Sequence, residues 1–387
     1  MKKTVVINRP YKPTTIYYAT EHPMQNQMIT TAKDLQALME RAHNTDAVAL
    51  DTEFVWERTY YPELGLIQLA LSNEECFLID PCAIDDLSPL GKLLADPAVV
   101  KIFHDAPQDL AILRAATKHD PQNIFDTRLA AGFSGLISTL SLTALVERLL
   151  DIKLEKTQTR TNWLKRPLDS KQTEYALDDV RYLRAVRVLL LARILPEAHK
   201  WLDEELLSLN DPNNAPGVSD EQRYTKVKGA GNLDRKSLAV LLELAIWREQ
   251  EARKKNRPRG HIIKDTVLCS IARSFLDTPD AIQECGEISA KTVKIYCDAL
   301  IQIVTNGKNR KESDYPPTLR ETKLTKKEKT ELNSLQSFIT LKSDVNGIDP
   351  ALIGNKRELK KLIKNSPDPS RQNKGWRKVF LTETEND

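Results

Sequence analysis

Four acidic residues of this chain have the types and spacing of a divalent-cation site. Asp51 and Glu53 lie two residues apart in the segment AVALDTEFV, and side chains two apart on a strand share a face. Two ionised carboxylates about 4 Å apart repel each other by roughly 4 kcal/mol at an effective dielectric constant near 20. We therefore expect a cation beside this pair, although a strand end that runs into solvent would also explain an isolated D-x-E.

Asp109 is the third acidic residue, and it lies in the first turn of a predicted helix. The apolar segment VVKIFH predicts a second buried strand, after which Asp105 is the predicted N-cap and Pro107 belongs to the first helical turn. Acidic residues suit the positive end of the helix dipole, so Asp109 alone is also consistent with an ordinary helix start.

The fourth acidic residue, Asp179, shares a predicted helix with Tyr175. In the segment SKQTEYALDDVRYLRAVRVLL, apolar residues recur at helical spacing from Ala176 onward. Tyr175 and Asp179 are four positions apart and share a face, whereas Asp178 is rotated by about 100°. We therefore predict that Asp179, and not Asp178, belongs to the site.

These segments resemble a known group of nucleases. DTEFVWERTYYPELGLIQLA, FHDAPQDLAIL and YALDDVRYL resemble the three motifs of the DEDDy 3′→5′ exonucleases, while LIDP, FDTRLAA and TRTNWLKRPL resemble the ribonuclease D family in particular. A related subclass has histidine five residues before the last aspartate, but Glu174 stands there and tyrosine follows it. The resemblance covers nearly the whole chain from about Met24.

The resemblance implies a metal-dependent exoribonuclease that removes 3′-terminal nucleotides as 5′-monophosphates with two Mg²⁺ or Mn²⁺ ions, which prefer oxygen ligands. Asp51 would bridge both ions, Glu53 and Asp179 would complete the first, and Asp109 would hold the second. Such ions lie about 3.5 to 4 Å apart and assist attack on phosphorus from both sides. Tyr175 would orient the attacking water, since an unperturbed phenol has a pKa near 10 and is a poor base.

Further candidates for substrate contact come with ordinary structural alternatives. Phe54 could stack on a terminal base or belong to the core. Gln68 faces away from Ile67 and Leu69 on a strand, which predicts a surface amide or one that supports a metal ligand. Arg160 and Arg166 could contact phosphate or cap neighbouring helices.

The C-terminal half resembles HRDC domains, the helical bundles found in ribonuclease D and some helicases. The segment from Ser237 to Phe275 predicts a helix N-capped by Asp234, a basic turn and a second helix capped near Asp265. The segment after residue 323 resembles a second, more diverged HRDC domain. A basic cluster in the first of them predicts RNA phosphate contacts or a solvated helix end; it consists of Arg253, Lys254, Lys255, Arg257, Arg259 and Lys264.

The predicted fold is an α/β ribonuclease H-like exonuclease domain, with a mixed sheet flanked by helices, followed by two all-α bundles. If the bundles hold RNA, deletion from about residue 230 onward should weaken binding of structured RNA more than cleavage of short oligomers. The predicted boundaries are an extension over 1–23, or translation starting at Met24; the exonuclease domain over 24–209; a linker over 210–232; the first bundle over 233–306; a linker over 307–323; and the second bundle over 324–387.

Composition limits the remaining possibilities. The net charge of +3 over 387 residues requires local basic patches for any nucleic-acid contact. Five cysteines without C-x-x-C pairing predict reduced thiols in a cytoplasmic protein, and no apolar stretch approaches the roughly 20 residues of a membrane helix. We predict a monomer that acts on RNA such as tRNA precursors. A DNA exonuclease and a catalytically idle RNA-binding or scaffold protein are the alternatives.

Overall fold

A six-stranded mixed sheet forms the centre of the N-terminal half. The computed structural model describes residues 27–155, 161–211, 219–285, 288–320, 323–364 and 371–382. Strand β2 is central, antiparallel to β3 and parallel to β5, in the order β1-β4-β3-β2-β5-β6. The strands are β1 Gln27–Ile29, β2 Ala47–Val55, β3 Glu63–Ala70, β4 Cys76–Ile79, β5 Val100–Phe103 and β6 Ile124–Asp126.

Helices cover both faces of this sheet, which confirms the predicted fold class. Helices α1 to α3 pack on one face over one apolar cluster, and α4, α5, α7 and α8 pack on the other face over a second. Helix α6 lies on that second face and packs mainly over a third, smaller cluster. Alternate residues of β2 divide between the faces: Val48 and Leu50 join the first cluster, Ala47 and Ala49 the second. The helices are α1 Ala32–His43, α2 Ser88–Ala95, α3 Pro107–Thr117, α4 Thr127–Phe133, α5 Leu142–Leu150, α6 Ser170–Arg181, α7 Leu183–Leu191 and α8 Pro196–Leu209.

Two of these helix ends differ from the prediction. Asp105 does not cap α3: it has φ +67° and its carboxylate pairs with Arg128, while Ala106 is the N-cap residue. The buried carboxylate of Asp126 instead accepts hydrogen bonds from the backbone N–H groups of Asp105 and Ala106, at 3.2 and 2.9 Å. The segment predicted as one helix after Ser170 is two helices, α6 and α7, that meet at Tyr182.

The first C-terminal bundle has its own apolar core and begins as predicted. Asp234 caps α9, since its side chain accepts a hydrogen bond from the backbone N–H of Ser237 at 2.7 Å. A 3-10 helix over Asp220–Lys226 packs against α9. The predicted cap near Asp265 is shifted, because Lys264 is the N-cap residue of α11. The bundle contains α9 Arg235–Lys255, α10 Arg259–Ile262, α11 Asp265–Ser274, α12 Pro279–Glu284 and α13 Ala290–Lys308.

The last three helices share one core with the sheet domain, so they are not packed as a separate unit. They are α14 Lys326–Asn346, α15 Lys356–Ile363 and α16 Gly375–Thr382. Trp376 stacks on Trp201 of α8 with ring centroids 5.4 Å apart, and Phe380 is fully buried in the cluster that also contains Val186 of α7. Arg377 forms an ion pair with Glu205 of α8.

The first bundle is attached to the loop that joins β2 to β3. The Asn256 side-chain oxygen accepts hydrogen bonds from the backbone N–H groups of Tyr60 and Tyr61, at 3.0 and 3.1 Å. The Tyr60 hydroxyl donates to buried Glu249 and accepts from Arg253 at 3.1 Å. The loop that follows the acidic strand β2 therefore contacts α9 and its C-terminal residue Asn256. Along the described ranges, no helix has the length and apolar character needed to cross a membrane.

Candidate active site

Three of the predicted carboxylates converge where β2 meets α6. Asp51, Glu53 and Asp179 each offer an oxygen, and these atoms all lie within 4.8 Å of one another. The strand alternation directs Asp51 and Glu53 toward the face that α6 covers, and the helical register directs Asp179 back toward them. All three donors are carboxylate oxygens, the ligand type that Mg²⁺ and Mn²⁺ prefer.

Asp109 reaches the same group from α3. It is buried, and its carboxylate accepts a hydrogen bond from the hydroxyl of Thr52, the residue between Asp51 and Glu53. Thr52 was not among the predicted site residues. Its position inside a D-T-E triplet on a core strand is the signal that could have singled it out, because a buried hydroxyl requires a partner.

The electrostatics of the group favour a bound cation. Burial, followed by the charges of Asp109, Asp179 and Glu53, raises the pKa of Asp51 well above its ordinary value. Burial and neighbouring carboxylates also raise the pKa of Glu53 to about 8. Burial is the largest cause that raises the pKa values of Asp109 and Asp179, each to about 7. Four carboxylates cannot all ionise here at neutral pH without positive charge, so these residues fit divalent ions.

Tyr175 lies beside the carboxylates and remains protonated. Its hydroxyl is hydrogen-bonded to Asp179, and burial together with the negative charges of Asp179, Glu53 and Asp51 raises its pKa above the ordinary phenol value. Buried Trp163 packs near its ring, with centroids 6.2 Å apart. A phenol in this environment can orient a water molecule by hydrogen bonding, but it cannot act as a strong base.

Asp178, the neighbour of Asp179, is engaged elsewhere. Its carboxylate accepts a hydrogen bond from Arg181 at 2.6 Å, one turn along α6.

His104, which follows β5, has one ring nitrogen hydrogen-bonded to the Thr127 hydroxyl and the other to the Leu140 carbonyl. Burial lowers its pKa to about 4, so at neutral pH this ring is uncharged and fixed by the fold.

Gln68 and Phe54 lie near the carboxylates in different environments. Gln68 is 0% exposed and pairs with Asp51 across β3 and β2, so a surface position or a direct nucleic-acid contact for it is wrong. Among the described residues its amide atoms have no hydrogen-bond partner. Phe54 follows a register shift after Glu53 and is half-buried, which leaves its base-stacking role a prediction.

Arg166 is held by the fold, and Arg160 lies outside the described residues. The Arg166 guanidinium donates to both oxygens of Asp80, at 2.6 and 2.7 Å, and to the carbonyls of Gly65 and Trp163. These bonds fix the Trp163 segment against the sheet and do not cap a helix, while a phosphate contact by Arg166 stays a prediction. Gly65 permits this approach, because a Cβ there would meet the Trp163 carbonyl oxygen at 2.7 Å.

The basic cluster of the first bundle divides into engaged and exposed residues. Arg253 pairs with Asp220, and Arg259 with Glu249. Lys255 pairs with Glu251 and is hydrogen-bonded to Tyr296. These three cations therefore hold the bundle together, and Arg253 and Arg259 also attach it to Tyr60. The remaining three cluster residues, Lys254, Arg257 and Lys264, are exposed.

Comparisons with known proteins agree with this geometry. The profile described as 3′-5′ exonuclease matches residues 26–194, and that of the HRDC domain matches residues 237–304. The chain is 54% identical to ribonuclease D of Desulfotalea psychrophila, over 92% of this chain and 96% of that protein. It is 35% identical to ribonuclease D of Pseudomonas paraeruginosa, over 86% of this chain and 89% of that protein.

A solved structure gives the same result at the level of the fold. The crystal structure of Escherichia coli RNase D, described as an exoribonuclease involved in structured RNA processing, superposes with a TM-score of 0.80 at 31% identity, covering 92% of this chain and 96% of that one. The sequence motifs, the carboxylate geometry and these matches lead to one conclusion: the chain belongs to the ribonuclease D family of 3′→5′ exoribonucleases.

Proposed function

We propose that this enzyme trims the 3′ ends of structured RNAs such as tRNA precursors and releases nucleoside 5′-monophosphates with the help of two divalent ions, Mg²⁺ or Mn²⁺. The observation that carries the proposal is the convergence of Asp51, Glu53 and Asp179 within 4.8 Å, with buried Asp109 beside them. We further propose that it acts as a monomer in the cytoplasm.

Each acidic residue has a separate task in this proposal. Asp51, whose pKa is raised by burial and by all three neighbouring carboxylates, would contribute to holding both ions. Glu53 and Asp179 would help to hold one ion, and Asp109, which accepts a hydrogen bond from the Thr52 hydroxyl, would help to hold the other. Bound divalent ions supply positive charge that activates water and stabilises the leaving 3′ oxygen.

Tyr175 positions the attacking water. The hydroxyl keeps its proton because burial and the nearby carboxylates raise its pKa. It can therefore donate one hydrogen bond and accept another, which fixes an orientation without removing a proton. Half-buried Phe54, directly after Glu53, is suited to stack on the terminal base.

Structured RNA as the substrate is supported by the description of the Escherichia coli enzyme, whose fold this chain shares over 92% of its length. The direct test supplies matched RNA and DNA oligomers of one sequence with Mg²⁺ or Mn²⁺ and identifies the products. We expect nucleoside 5′-monophosphates from the 3′ end of RNA. Faster cleavage of DNA would overturn the substrate assignment, and no turnover with either metal would overturn the activity.

Single substitutions test the roles of the carboxylates. We expect Asp51→Asn, Glu53→Gln, Asp109→Asn and Asp179→Asn each to reduce hydrolysis by about 10³-fold or more, since each removes charge from the proposed metal site. Asp178→Asn is the matched control, and it should retain most activity because Asp178 pairs with Arg181. Equal losses in Asp178→Asn and Asp179→Asn would contradict the proposed register of α6.

A further inference from the structure

A basic cavity lies within the first helical bundle, and none of the four active-site carboxylates lines it. It has a volume of about 470 Å³ and is bounded by the 3-10 helix Asp220–Lys226, helix α9 and the segment from Arg259 to Asp265. Its charged lining is predominantly cationic. Five cations, Arg223, Lys226, Arg248, Arg259 and Lys264, face two carboxylates, Glu249 and Asp265.

Both carboxylates of this lining are neutralised within the bundle. Glu249, which is 1% exposed, forms ion pairs with Arg223, Arg253 and Arg259. Burial would raise the pKa of Glu249, but hydrogen bonds from Arg259 and Tyr60 hold it below its ordinary value. Arg253 is also paired with Asp220 and lies outside the lining, so Arg223 and Arg259 beside Glu249 leave an excess of positive charge at the cavity wall.

Asp265 is also paired within the bundle, whereas two exposed lysines of the lining have no ion-pair partner among the described residues. Asp265 accepts hydrogen bonds from Arg248 and from the backbone N–H of Lys228, each at 2.7 Å. Lys226 and Lys264 are exposed, and within the ranges that the structure describes neither ammonium group has an ion-pair partner. The cavity thus has fixed, paired cations in its wall and two uncommitted cations at its opening.

This arrangement suits a phosphate group. A cavity of about 470 Å³ is within the range of small-ligand sites, and positive charge within a concave surface concentrates anions. Gly260 lies in the wall, and a Cβ at that position would meet no atom within 4 Å, so the space beside it is open. We propose that this cavity binds a backbone phosphate of the RNA substrate, upstream of the 3′ end that the carboxylates hydrolyse.

This inference rests on the proposed function, but it has its own observable. In the Asp179→Asn background, in which we expect RNA cleavage to be about 10³-fold slower, Lys226→Ala/Lys264→Ala should weaken binding of an RNA hairpin with a 3′ tail by about 5- to 20-fold. The slope of log K against log salt should decrease by about 0.7, as expected when one contact to a single-stranded phosphate is lost. Lys254→Ala/Arg257→Ala is the matched control, because it removes the same charge from exposed positions outside the cavity lining.

A second pair of variants tests the cavity itself. Gly260→Glu introduces a carboxylate into the wall at a position where a Cβ meets no atom within 4 Å, and it should weaken hairpin binding as the lysine variant does, while Gly260→Ala should bind normally. In the active enzyme, cleavage of a trinucleotide should be unchanged in all of these variants. Thermal melting of each variant checks that the bundle stays folded.

Several outcomes would overturn the inference. Equal losses of hairpin affinity in the lysine pair and its control would show that only overall charge matters. An unchanged hairpin affinity, with inorganic phosphate or a nucleoside 5′-monophosphate raising the melting temperature only when Lys226 and Lys264 are present, would show that the cavity takes free phosphomonoesters. Failure of the unmodified chain to cleave the trinucleotide would count against the proposed function and leave the binding result to be judged separately.

Discussion

The active-site carboxylates are buried close to one another, in surroundings that disfavour their negative charge. Burial raises the pKa values of Asp109 and Asp179 to about 7 and that of Glu53 to about 8. Thr52 and Tyr175 each donate a hydrogen bond to one of these carboxylates. The site is therefore prepared for cations at some cost to the stability of the metal-free protein.

The raised pKa values of these carboxylates predict how the stability of the metal-free enzyme depends on pH. The raised pKa values mean that the folded state binds more protons than the unfolded state between the ordinary carboxylate range near 4 and about pH 8. That contribution to stability is present at low pH and is lost as the pH rises through the folded-state values. We expect the melting temperature without metal to fall from pH 5 to pH 8.

Calorimetric melting with and without Mg²⁺ checks this expectation. The increase in melting temperature that Mg²⁺ produces should be larger at pH 8 than at pH 5, because protons compete with the ion for the same oxygens. Asp51→Asn removes one of the repelling charges, so its metal-free melting temperature should depend less on pH. A metal-free melting temperature that rises from pH 5 to 8 would contradict the assigned pKa shifts.

Tyr175→Phe isolates the hydroxyl proposed to orient water. Turnover should fall by about 10- to 100-fold, while calorimetric Mn²⁺ affinity and RNA affinity change by no more than about twofold, because the lost interaction acts mainly in the transition state. Tyr224→Phe, which removes a hydroxyl from the core of the first bundle, is the matched control. Unaltered turnover in Tyr175→Phe would exclude the proposed role.

At the scale of elements, the active-site strand is connected to the first bundle through one loop. Asn256 ends α9 with φ +46°, and its side-chain oxygen accepts hydrogen bonds from the backbone N–H groups of Tyr60 and Tyr61. The Tyr60 ring lies against the guanidinium groups of Arg253 and Arg259, at 5.8 and 4.9 Å from its centroid. Arg253 and Arg259, which the sequence suggested as RNA contacts, therefore fix the position of the bundle relative to the loop after β2.

Asn256→Gly tests this connection without straining the helix end, because glycine tolerates the positive φ that this position requires. The substitution removes the shared acceptor, so hydrogen exchange at the Tyr60 and Tyr61 amides should become at least about 10-fold faster. Exchange within α9 should change little. If both tyrosine amides kept their protection, the loop would be held by contacts other than Asn256.

At the scale of the whole molecule, the last three helices complete the core of the sheet domain. Phe380 and Trp376 of α16 pack with Phe133 of α4 and with Trp201 of α8. Deletion from about residue 230 onward would thus expose apolar surface of the catalytic domain as well as remove the first bundle. Loss of RNA binding in such a deletion would not isolate an RNA contact, which is why the cavity variants are the better test.

Phe380→Ala tests the shared core in the full chain. We expect a loss of about 3–5 kcal/mol in the free energy of unfolding, as for other buried phenylalanines, with faster hydrogen exchange in α4 and α8. Leu300→Ala, which truncates a fully buried residue of the first bundle, should leave exchange in α4 and α8 unchanged. A Phe380→Ala effect confined to α14, α15 and α16 would indicate a separate core.

The sequence by itself determined those features that depend on local periodicity. The two-residue repeat places Asp51 and Glu53 on one face of β2, and the helical repeat separates Asp179 from Asp178. The motifs around them were sufficient to indicate the family and the mixed sheet with its helical bundles. Such patterns state which side of an element a residue occupies, because the backbone geometry of strands and helices is regular.

Only the tertiary structure decided which polar groups are used within the fold. Arg166 is paired with Asp80 and Arg259 with Glu249, while Gln68 is buried opposite Asp51. These partners are on different elements, so their meeting depends on how strands and helices pack, which no local pattern specifies. Among the residues that the structure describes, the same packing leaves Lys226 and Lys264 without an ion-pair partner beside a cavity, because the carboxylates near them are already bound by other groups.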